Sequence, residues 1–367
     1  MANILIAGGG TGGHAYPALA IGKELKHRNP QWNIEFAGRN DLIEGRIVPL
    51  EGFKLHEVYV EGFERYYSPL RKAKVAARAA LSFFQSFRLL SKFKADCVVG
   101  TGGYTCGPIV LAAHMKGLPT LICEQNVIPG FTIKSLSKVA DKVCLSFADA
   151  KEYMAKPDRC IFTGNPVRRE FALFNRGIAR NSMGLEDDEL LMLSFGGSLG
   201  ARTINNAIAG ALPFFAANPK FKLVHITGRG QQYAEFMGDV GDIPKNATII
   251  EYSNDMPMLM NAADLVLSRS GASSVSEINY VGVASVYVPF PAAVFDHQTK
   301  NAQVCVDKGA SILIEDSKLD AESLVNHISS LIDTGILAKM AAASKSLGIL
   351  DSAEMISLEI EKLVATV

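Results

Sequence analysis

The sequence lacks several features that would assign it to whole classes of protein. Lys and Arg equal Asp and Glu, 37 against 37, so no net charge favours nucleic acid or an acidic partner. The six cysteines form no C-x-x-C pair and have no zinc-ligand spacing, and we expect reduced thiols in a cytoplasmic protein. No basic leader or cleavage site precedes the first apolar run, so no signal peptide is expected. No run reaches the roughly 18 apolar residues that a membrane-spanning helix needs.

What is present indicates two α/β domains. The chain has 367 residues, of which 48% are hydrophobic, and this length is too great for a single hydrophobic core of ordinary size. Short β-branched runs alternate with helical patterns in two series, which is the signature of doubly wound parallel sheets. We place the boundary after residue 163, giving domains 1–163 and 164–349. The predicted strands are 4–7, 33–37, 55–60, 96–100, 120–123, 142–146 and 160–163, then 190–195, 223–227, 248–251, 265–268, 285–288 and 311–314.

Two glycine turns follow strands about 190 residues apart. Gly8–His14 follows the apolar run Ile4–Ala7, and Gly196–Gly200 follows Leu190–Phe195. Glycines let a backbone approach a ligand closely, and the first N–H groups of a helix attract phosphate. Gly8, Gly10 and Gly13 match G-x-G-x-x-G, a pattern that is weak alone. Together the turns predict two nucleotide-type folds that face each other.

Polar side chains follow other strands of the first series. A third glycine turn, 100–108, contains Tyr104, and Glu124 and Asn126 follow the next strand. Ligands bind beyond the carboxyl ends of parallel strands, so His14, Tyr104, Glu124 and Asn126 are predicted to share one cleft. An imidazole or carboxylate there is suited to be a general base toward a hydroxyl.

The second series has its own ligand signals. The turn 269–277 opens a helix with small hydroxyl residues, and Glu277 is placed to bind a ribose diol. The polar segment 296–302 is suited to read a sugar, and Arg168 to stabilise a departing diphosphate. There is no D-x-D triplet, so no obligatory metal or other cofactor is inferred.

A basic segment stands out in a chain of zero net charge. Residues 65–94 hold eight basic residues and no acidic one. Arg71, Lys74 and Arg78 recur at nearly helical spacing, and Phe83 and Phe87 add apolar bulk. One interpretation is a crossover helix with a solvated basic face. The other is a helix on anionic lipid headgroups, with the aromatic loop 62–69 dipping into the interface.

Seven motifs, in order along nearly the whole chain, resemble the MurG family, peripheral membrane enzymes that add N-acetylglucosamine (GlcNAc) to lipid I. They are GGGTGGHAYPALA (8–20), GTGGYTCGP (100–108), EQN (124–126), GNPVR (164–168), GGSLGAR (196–202), RSGASSVSE (269–277) and DHQTKNA (296–302).

The resemblance implies a GT-B fold, two Rossmann-like domains with a cleft between them. UDP-GlcNAc would lie mainly on the second domain, lipid I would engage the first, and the helix 350–367 would return to the first.

The resemblance also implies roles for single residues. Thr11, Gly12, Gly13 and Asn126 would adjoin the donor sugar or diphosphate, with His14 at the reacting centre. Arg168 and Ser198 would contact the diphosphate, Gln298 the GlcNAc hydroxyls, and Ser253 lies where the family binds uracil. The nucleotide pocket would comprise Ala272, Ser273, Ser274, Val275, Ser276 and Glu277.

The implied reaction is an inverting transfer to the C4 hydroxyl of the N-acetylmuramic acid (MurNAc) unit of undecaprenyl-diphosphoryl-MurNAc-pentapeptide, forming lipid II. Cys123 stands where the family often has His, which leaves His14, Glu124 and Tyr104 as catalytic candidates and the base open. Implied partners are anionic inner-leaflet lipids and a cell-wall synthesis complex, at the cytoplasmic face of the bacterial plasma membrane.

The sequence leaves three alternatives open. A nicotinamide oxidoreductase expects an acidic residue closing the second strand, which instead ends Phe36-Ala37-Gly38-Arg39. A non-catalytic lipid or nucleotide-binding module fits the same fold, since fold does not fix function. The third is another GT-B enzyme, a UDP-GlcNAc epimerase or a different lipid glycosyltransferase.

Overall fold

The computed structural model describes residues 1–60, 68–197, 199–332 and 334–366, without the side chains at 69, 70, 72–74, 76 and 334. The chain forms two compact units, Met1–Arg168 with Asp351–Val367, and Arg169–Leu350. Residues 164–168, assigned to the second domain from sequence, thus cluster with unit 1.

Unit 1 is a seven-stranded parallel sheet of order β3-β2-β1-β4-β5-β6-β7. Its strands are β1 (Asn3–Gly8), β2 (Asn33–Gly38), β3 (Leu55–Glu57), β4 (Cys97–Gly102), β5 (Thr120–Glu124), β6 (Lys142–Leu145) and β7 (Cys160–Phe162). Its helices are α1 (Gly12–Arg28), α2 (Ile43–Leu50), α3 (Pro69–Phe93), α4 (Gly103–Met115), α5 (Phe131–Leu136) and α14 (Ser352–Val364).

Unit 2 is a six-stranded parallel sheet of order β10-β9-β8-β11-β12-β13. Its strands are β8 (Leu190–Phe195), β9 (Phe221–Ile226), β10 (Ala247–Ile250), β11 (Leu265–Ser268), β12 (Ala284–Tyr287) and β13 (Ser311–Leu313). Its helices are α6 (Arg176–Ser182), α7 (Arg202–Ala217), α8 (Gln231–Asp239), α9 (Met256–Ala262), α10 (Ala272–Val281), α11 (His297–Asp307), α12 (Ala321–Leu331) and α13 (Thr334–Leu347).

The predicted fold class, two doubly wound parallel sheets, is confirmed. Within the described ranges, all thirteen strands begin within about two residues of their predicted starts, because continuous apolar runs mark strands buried on both faces. The strand predicted over 55–60 is shorter than expected. Only Leu55, His56 and Glu57 pair with β2, and the chain leaves the sheet edge after them.

Alternation along β1 divides the core of unit 1 between the two faces of its sheet. Ile4 and Ile6 pack in one cluster with residues of α1 and α14, and Leu5 packs in a second with residues of α3 and α4. Ile356 of α14 is fully buried. Arg28 of α1 also forms ion pairs of 2.9 Å with Glu354 and Glu361 of α14.

The basic segment forms α3, whose exposed face is unusual. Ser82 and Ser86 are buried, whereas Leu81 is 64% and Phe84 68% exposed. Phe87 is also exposed, and the Lys116 ammonium lies 4.0 Å from its ring centre. Within the part of the chain that the structure covers, no helix is both long and apolar enough to cross a bilayer.

The prediction for the basic segment also named Phe83, Lys74 and the aromatic loop 62–69. Phe83 is half-buried, packed against the core cluster of α3 and α4. The side chain of Lys74 and residues 62–67 of the aromatic loop lie outside the described residues.

Candidate active site

The first glycine loop, Gly8–Gly13, joins β1 to α1. Gly10 has a φ of +88°, a left-handed conformation that favours glycine. A Cβ on Gly8 would lie 1.8 Å from Oγ1 of Thr101, so this position also requires glycine. α1 begins at Gly12, and its N-cap Thr11 makes no side-chain capping bond. The first amides of α1 have no intrahelical acceptor, which makes this turn suitable for an anion.

His14 lies in the first turns of α1, and its ring is held by residues of other segments. Nδ1 lies 3.1 Å from the carbonyl oxygen of Thr101 and 3.0 Å from Oε1 of Gln125. Nε2 of Gln125 donates to the carbonyl of Cys123 at 3.3 Å, which turns Oε1 toward the histidine. Since both neighbours of Nδ1 are acceptors, Nδ1 carries the proton of the neutral ring, in which Nε2 holds the basic lone pair.

The glycine turn 100–108 begins with Gly100–Gly103, which we call the second glycine loop. This loop packs against the first glycine loop. Gly102 and Gly103 have φ values of +103° and +76°. A Cβ on Gly102 would lie 2.5 Å from Nδ1 of His14, and one on Gly103 would lie 2.3 Å from the carbonyl oxygen of Gly9. Tyr104 follows at the start of α4 and is 55% exposed. The loops after β1 and β4 therefore form one surface.

Glu124, at the end of β5, is buried under the turn that follows it. Its Oε1 accepts hydrogen bonds from the amide of Asn126 at 2.8 Å and from Nδ2 of Asn126 at 3.2 Å, and its Oε2 accepts one from the amide of Gly130 at 3.1 Å. Desolvation raises the pKa of Glu124 to about 7, although these N–H donors oppose it. His14, Tyr104, Glu124 and Asn126 share one sheet edge, with Glu124 facing inward.

Arg168 ends the segment that leads out of unit 1. Its guanidinium lies 5.2 Å from the ring centre of Tyr16, on α1. This contact brings a cation to the helix that starts at the first glycine loop.

The glycine turn 196–200 of unit 2 is also sterically specified. Gly197 and Gly200 have φ values of +91° and +76°. A Cβ on Gly200 would lie 2.1 Å from the carbonyl oxygen of Thr227, so the turn packs against the loop after β9. Ser198, the predicted diphosphate contact, lies outside the described residues.

The predicted nucleotide turn opens α10, with Gly271 as the N-cap. The side chains of Ala272 and Val275 are buried, so these residues offer a ligand only their main chain. Ser274, Ser276 and Glu277 are half-buried. Oγ of Ser273 is buried and has no hydrogen-bond partner among the described residues, which leaves a hydroxyl at the helix start.

The remaining predicted contacts of unit 2 are Gln298, at the start of α11, and Ser253, in the loop before α9. Oε1 of Gln298 accepts a hydrogen bond from the amide of Phe290 at 3.0 Å. Phe295 and Asp296, just before it, have positive φ values of 55° and 54°, which is uncommon for side-chain-bearing residues. Oγ of Ser253 accepts a hydrogen bond from the amide of Asp255 at 3.0 Å.

Three positioning side chains were not assigned a role from sequence: Thr101, Gln125 and Arg269. Thr101 and Gln125 hold His14, and Arg269 donates to the carbonyls of Val288 and Pro289 at 3.0 Å each. All lie at or next to the carboxyl end of a buried strand, which is the signal that sequence offers for them. Across the covered ranges, no group of three or more His, Cys, Asp or Glu is arranged to hold a metal ion.

Comparison with known proteins agrees with this arrangement. The glycosyltransferase family 28 N-terminal domain matches residues 4–145, and the corresponding C-terminal domain matches residues 191–356. A protein of Desulforudis audaxviator named UDP-N-acetylglucosamine--N-acetylmuramyl-(pentapeptide) pyrophosphoryl-undecaprenol N-acetylglucosamine transferase is 40% identical over 94% of both chains. The chain belongs to the MurG family. It is therefore a glycosyltransferase of family 28.

Other members extend the likeness to both ends of the chain. A Bacillus cereus protein with the same name, numbered 1, is 38% identical over 98% of this chain and 99% of its own. The crystal structure of Acinetobacter baumannii MurG superposes with a TM-score of 0.78 at 29% identity, covering 99% of this chain and all of that one.

Proposed function

We propose that this enzyme transfers GlcNAc from UDP-GlcNAc to the C4 hydroxyl of MurNAc in undecaprenyl-diphosphoryl-MurNAc-pentapeptide, forming lipid II for peptidoglycan synthesis. Sequence identity of 38–40%, over nearly the full length of proteins named for this transfer, carries the proposal. The basic Nε2 of His14, beside a helix N-terminus, supports it because the transfer needs a base and anion-binding groups.

Unit 1 takes the acceptor. Nε2 of His14 removes the proton of the C4 hydroxyl as its oxygen attacks the anomeric carbon of GlcNAc. The new bond forms on the face opposite UDP, the bond from the anomeric carbon to the phosphate oxygen breaks, and UDP leaves with the electron pair. Thr11, Gly12 and Gly13 offer main-chain N–H groups to a diphosphate or sugar oxygen.

Glu124 is placed differently from His14. Both of its oxygens accept hydrogen bonds from the turn after β5, and only 2% of the residue is exposed. We therefore assign the base to His14, and to Glu124 the positioning of Asn126 beside the reacting groups. Tyr104, more than half exposed next to the second glycine loop, contacts the acceptor.

Unit 2 takes the donor. The start of α10 binds the nucleotide, with Ser273 toward phosphate and Glu277 toward the ribose diol. Gln298 reads the GlcNAc hydroxyls, and Ser253 lies by the uracil. Arg168, Ser198 and helix N-termini balance the charge on departing UDP, and the scheme needs no metal ion.

The enzyme works at the cytoplasmic face of the bacterial plasma membrane, where the lipid acceptor resides. The exposed Leu81, Phe84 and Phe87 of α3 enter the lipid interface. Arg71, Lys74 and Arg78 attract anionic headgroups, each contributing about 1 kcal/mol. A cell-wall synthesis complex is the further partner that we propose.

The test is radiolabelled UDP-GlcNAc with a short-chain lipid I analogue. Wild-type enzyme is expected to label the acceptor, and His14→Ala to lose about 10²- to 10⁴-fold in kcat while still binding UDP-GlcNAc. Ser182→Ala, on α6 of unit 2, is the control. No label on the acceptor, or full activity in His14→Ala, would refute the proposal or the assigned base.

A further inference from the structure

Glu44 is a buried carboxylate directly beneath the first glycine loop. It lies in the first turn of α2 and is only 1% exposed. Its Oε2 accepts a hydrogen bond from the amide of Gly10 at 2.9 Å, and its Oε1 accepts one from the amide of Arg39 at 3.1 Å. One side chain therefore joins the loop after β1 to the end of β2.

Neighbouring glycines leave room for this carboxylate. A Cβ on Gly9 would lie 2.2 Å from the carboxyl carbon of Glu44, and one on Gly38 would lie 2.6 Å from its Cγ. Gly9 does not have a positive φ, so room for Glu44 accounts for glycine there better than backbone strain. A buried carboxylate costs free energy unless its oxygens accept hydrogen bonds, and here both do.

We propose that Glu44 is a positioning residue that fixes the first glycine loop and, through it, His14 and the amides at the start of α1. Glu44 anchors the loop at Gly10, while Oγ1 of Thr101 anchors it by donating to the carbonyl of His14 at 2.9 Å. The inference rests on the proposed function, in which His14 is the base and the amides at the start of α1 bind a diphosphate or sugar oxygen. Misplacing reacting groups by about 1 Å costs on the order of 10²-fold in rate.

The first test is Glu44→Gln. A glutamine turns its NH2 group toward one of the two amide donors, so the loop shifts. We expect kcat to fall about 10²-fold, far more than KM for UDP-GlcNAc rises, because the donor is bound mainly on unit 2. The matched control is Glu51→Gln, because Glu51 also ties α2 to α1, through a 2.7 Å ion pair with Lys23, but is far more exposed. Near-normal kcat in Glu44→Gln, or an equal loss in Glu51→Gln, would overturn the inference.

A double-mutant cycle tests the same contact from the loop side. Gly9→Ala places a methyl against the carboxylate, and we expect a large loss of kcat with Glu44 present. In the Glu44→Ala background the space is open, so Gly9→Ala should add little. Fully additive losses would count against a direct coupling of Glu44 to the loop.

Hydrogen exchange separates this inference from the proposed function. Amides of residues 8–14 are expected to exchange faster in Glu44→Gln than in wild type or Glu51→Gln, whatever the enzyme transfers. Unchanged exchange would refute the positioning role. Absence of GlcNAc transfer by wild-type enzyme would instead refute the proposed function.

Discussion

His14 and His225 carry the same side chain in opposite surroundings. His14 is half-buried, with Nδ1 between two acceptors that place the proton of the neutral ring on Nδ1. His225 lies on β9 of unit 2, fully buried, with Nδ1 3.1 Å from Oγ of Ser194. Its Nε2 has no partner within the described ranges. Desolvation lowers the pKa of His225 to about 3, so this histidine stays neutral in the folded protein.

In the unfolded state His225 has an ordinary pKa of about 6.5. Between this pH and about 3, the unfolded state therefore binds a proton on His225 that the native state does not bind. Stability of unit 2 should therefore fall as the pH drops from about 6.5 toward 3, with His225 contributing up to about 1.4 kcal/mol per pH unit. His225→Phe should flatten this slope, measured by denaturant-dependent hydrogen exchange of unit 2 peptides. Ser194→Ala, which removes the hydrogen bond but no titrating group, should keep the slope. An equally steep slope in His225→Phe would contradict the assignment.

At the scale of elements, α3 carries large apolar side chains on its exposed face as well as on its buried one, where Leu90 joins the core. Its buried stripe contains Ser82 and Ser86, and Oγ of Ser86 donates to the carbonyl of Ser82 at 2.7 Å. Its solvent-facing side carries Leu81, Phe84 and Phe87. Large exposed apolar side chains are costly in water unless another apolar phase covers them.

Replacing Leu81, Phe84 and Phe87 with Ser should release the enzyme from vesicles containing anionic phospholipid, since the apolar insertion is lost. Arg71, Lys74 and Arg78 changed to Gln should weaken binding to anionic but not to neutral vesicles. Sedimentation measures both, and turnover of a soluble acceptor should remain normal. Leu358→Ser, an exposed apolar residue of α14 on the opposite face of the sheet, is the control. Unchanged sedimentation of both variants would leave α3 a solvated crossover helix.

At the scale of the whole molecule, unit 1 is discontinuous in sequence. Its core combines residues 1–168 with the last helix, and Ile356 and Ile360 of α14 are fully buried there. Trp32, the one tryptophan of the chain, packs in the same cluster. Its fluorescence therefore reports on unit 1 and on the docking of α14.

Ile356→Ala should destabilise unit 1 by about 2–5 kcal/mol, because it leaves a cavity in a fully buried cluster. The unfolding transition followed by Trp32 fluorescence should shift to a lower denaturant concentration. Hydrogen exchange of unit 2 peptides should stay unchanged. Leu358→Ala, more exposed on the same helix, should shift it far less. Equal shifts for the two variants would mean that burial of Ile356 is not what holds α14 on unit 1.

Sequence patterns predicted the strands and helices because each sheet is buried on both faces, and they located the glycine turns because only glycine fits there. They also predicted a basic α3 with apolar bulk. Which side of α3 faces the core required packing, since Ser82 and Ser86 read as surface residues. Glu44 was missed for a similar reason: it belongs to no motif, and only the fold brings it beneath Gly10. The proton position on His14 depends on Thr101 and Gln125, which are distant in sequence.

The return of α14 to unit 1 has a consequence for synthesis on the ribosome. Chains emerge from the N-terminus and domains generally fold as units. Residues 1–168 emerge first, yet the apolar surface around Ile4 and Ile6 waits for Ile356 and Ile360, which emerge only after all of unit 2. Unit 2 is continuous and completes its core earlier. Unit 1 of the nascent enzyme therefore completes its core only after the α14 residues Ile356 and Ile360, which follow all of unit 2, have been synthesised.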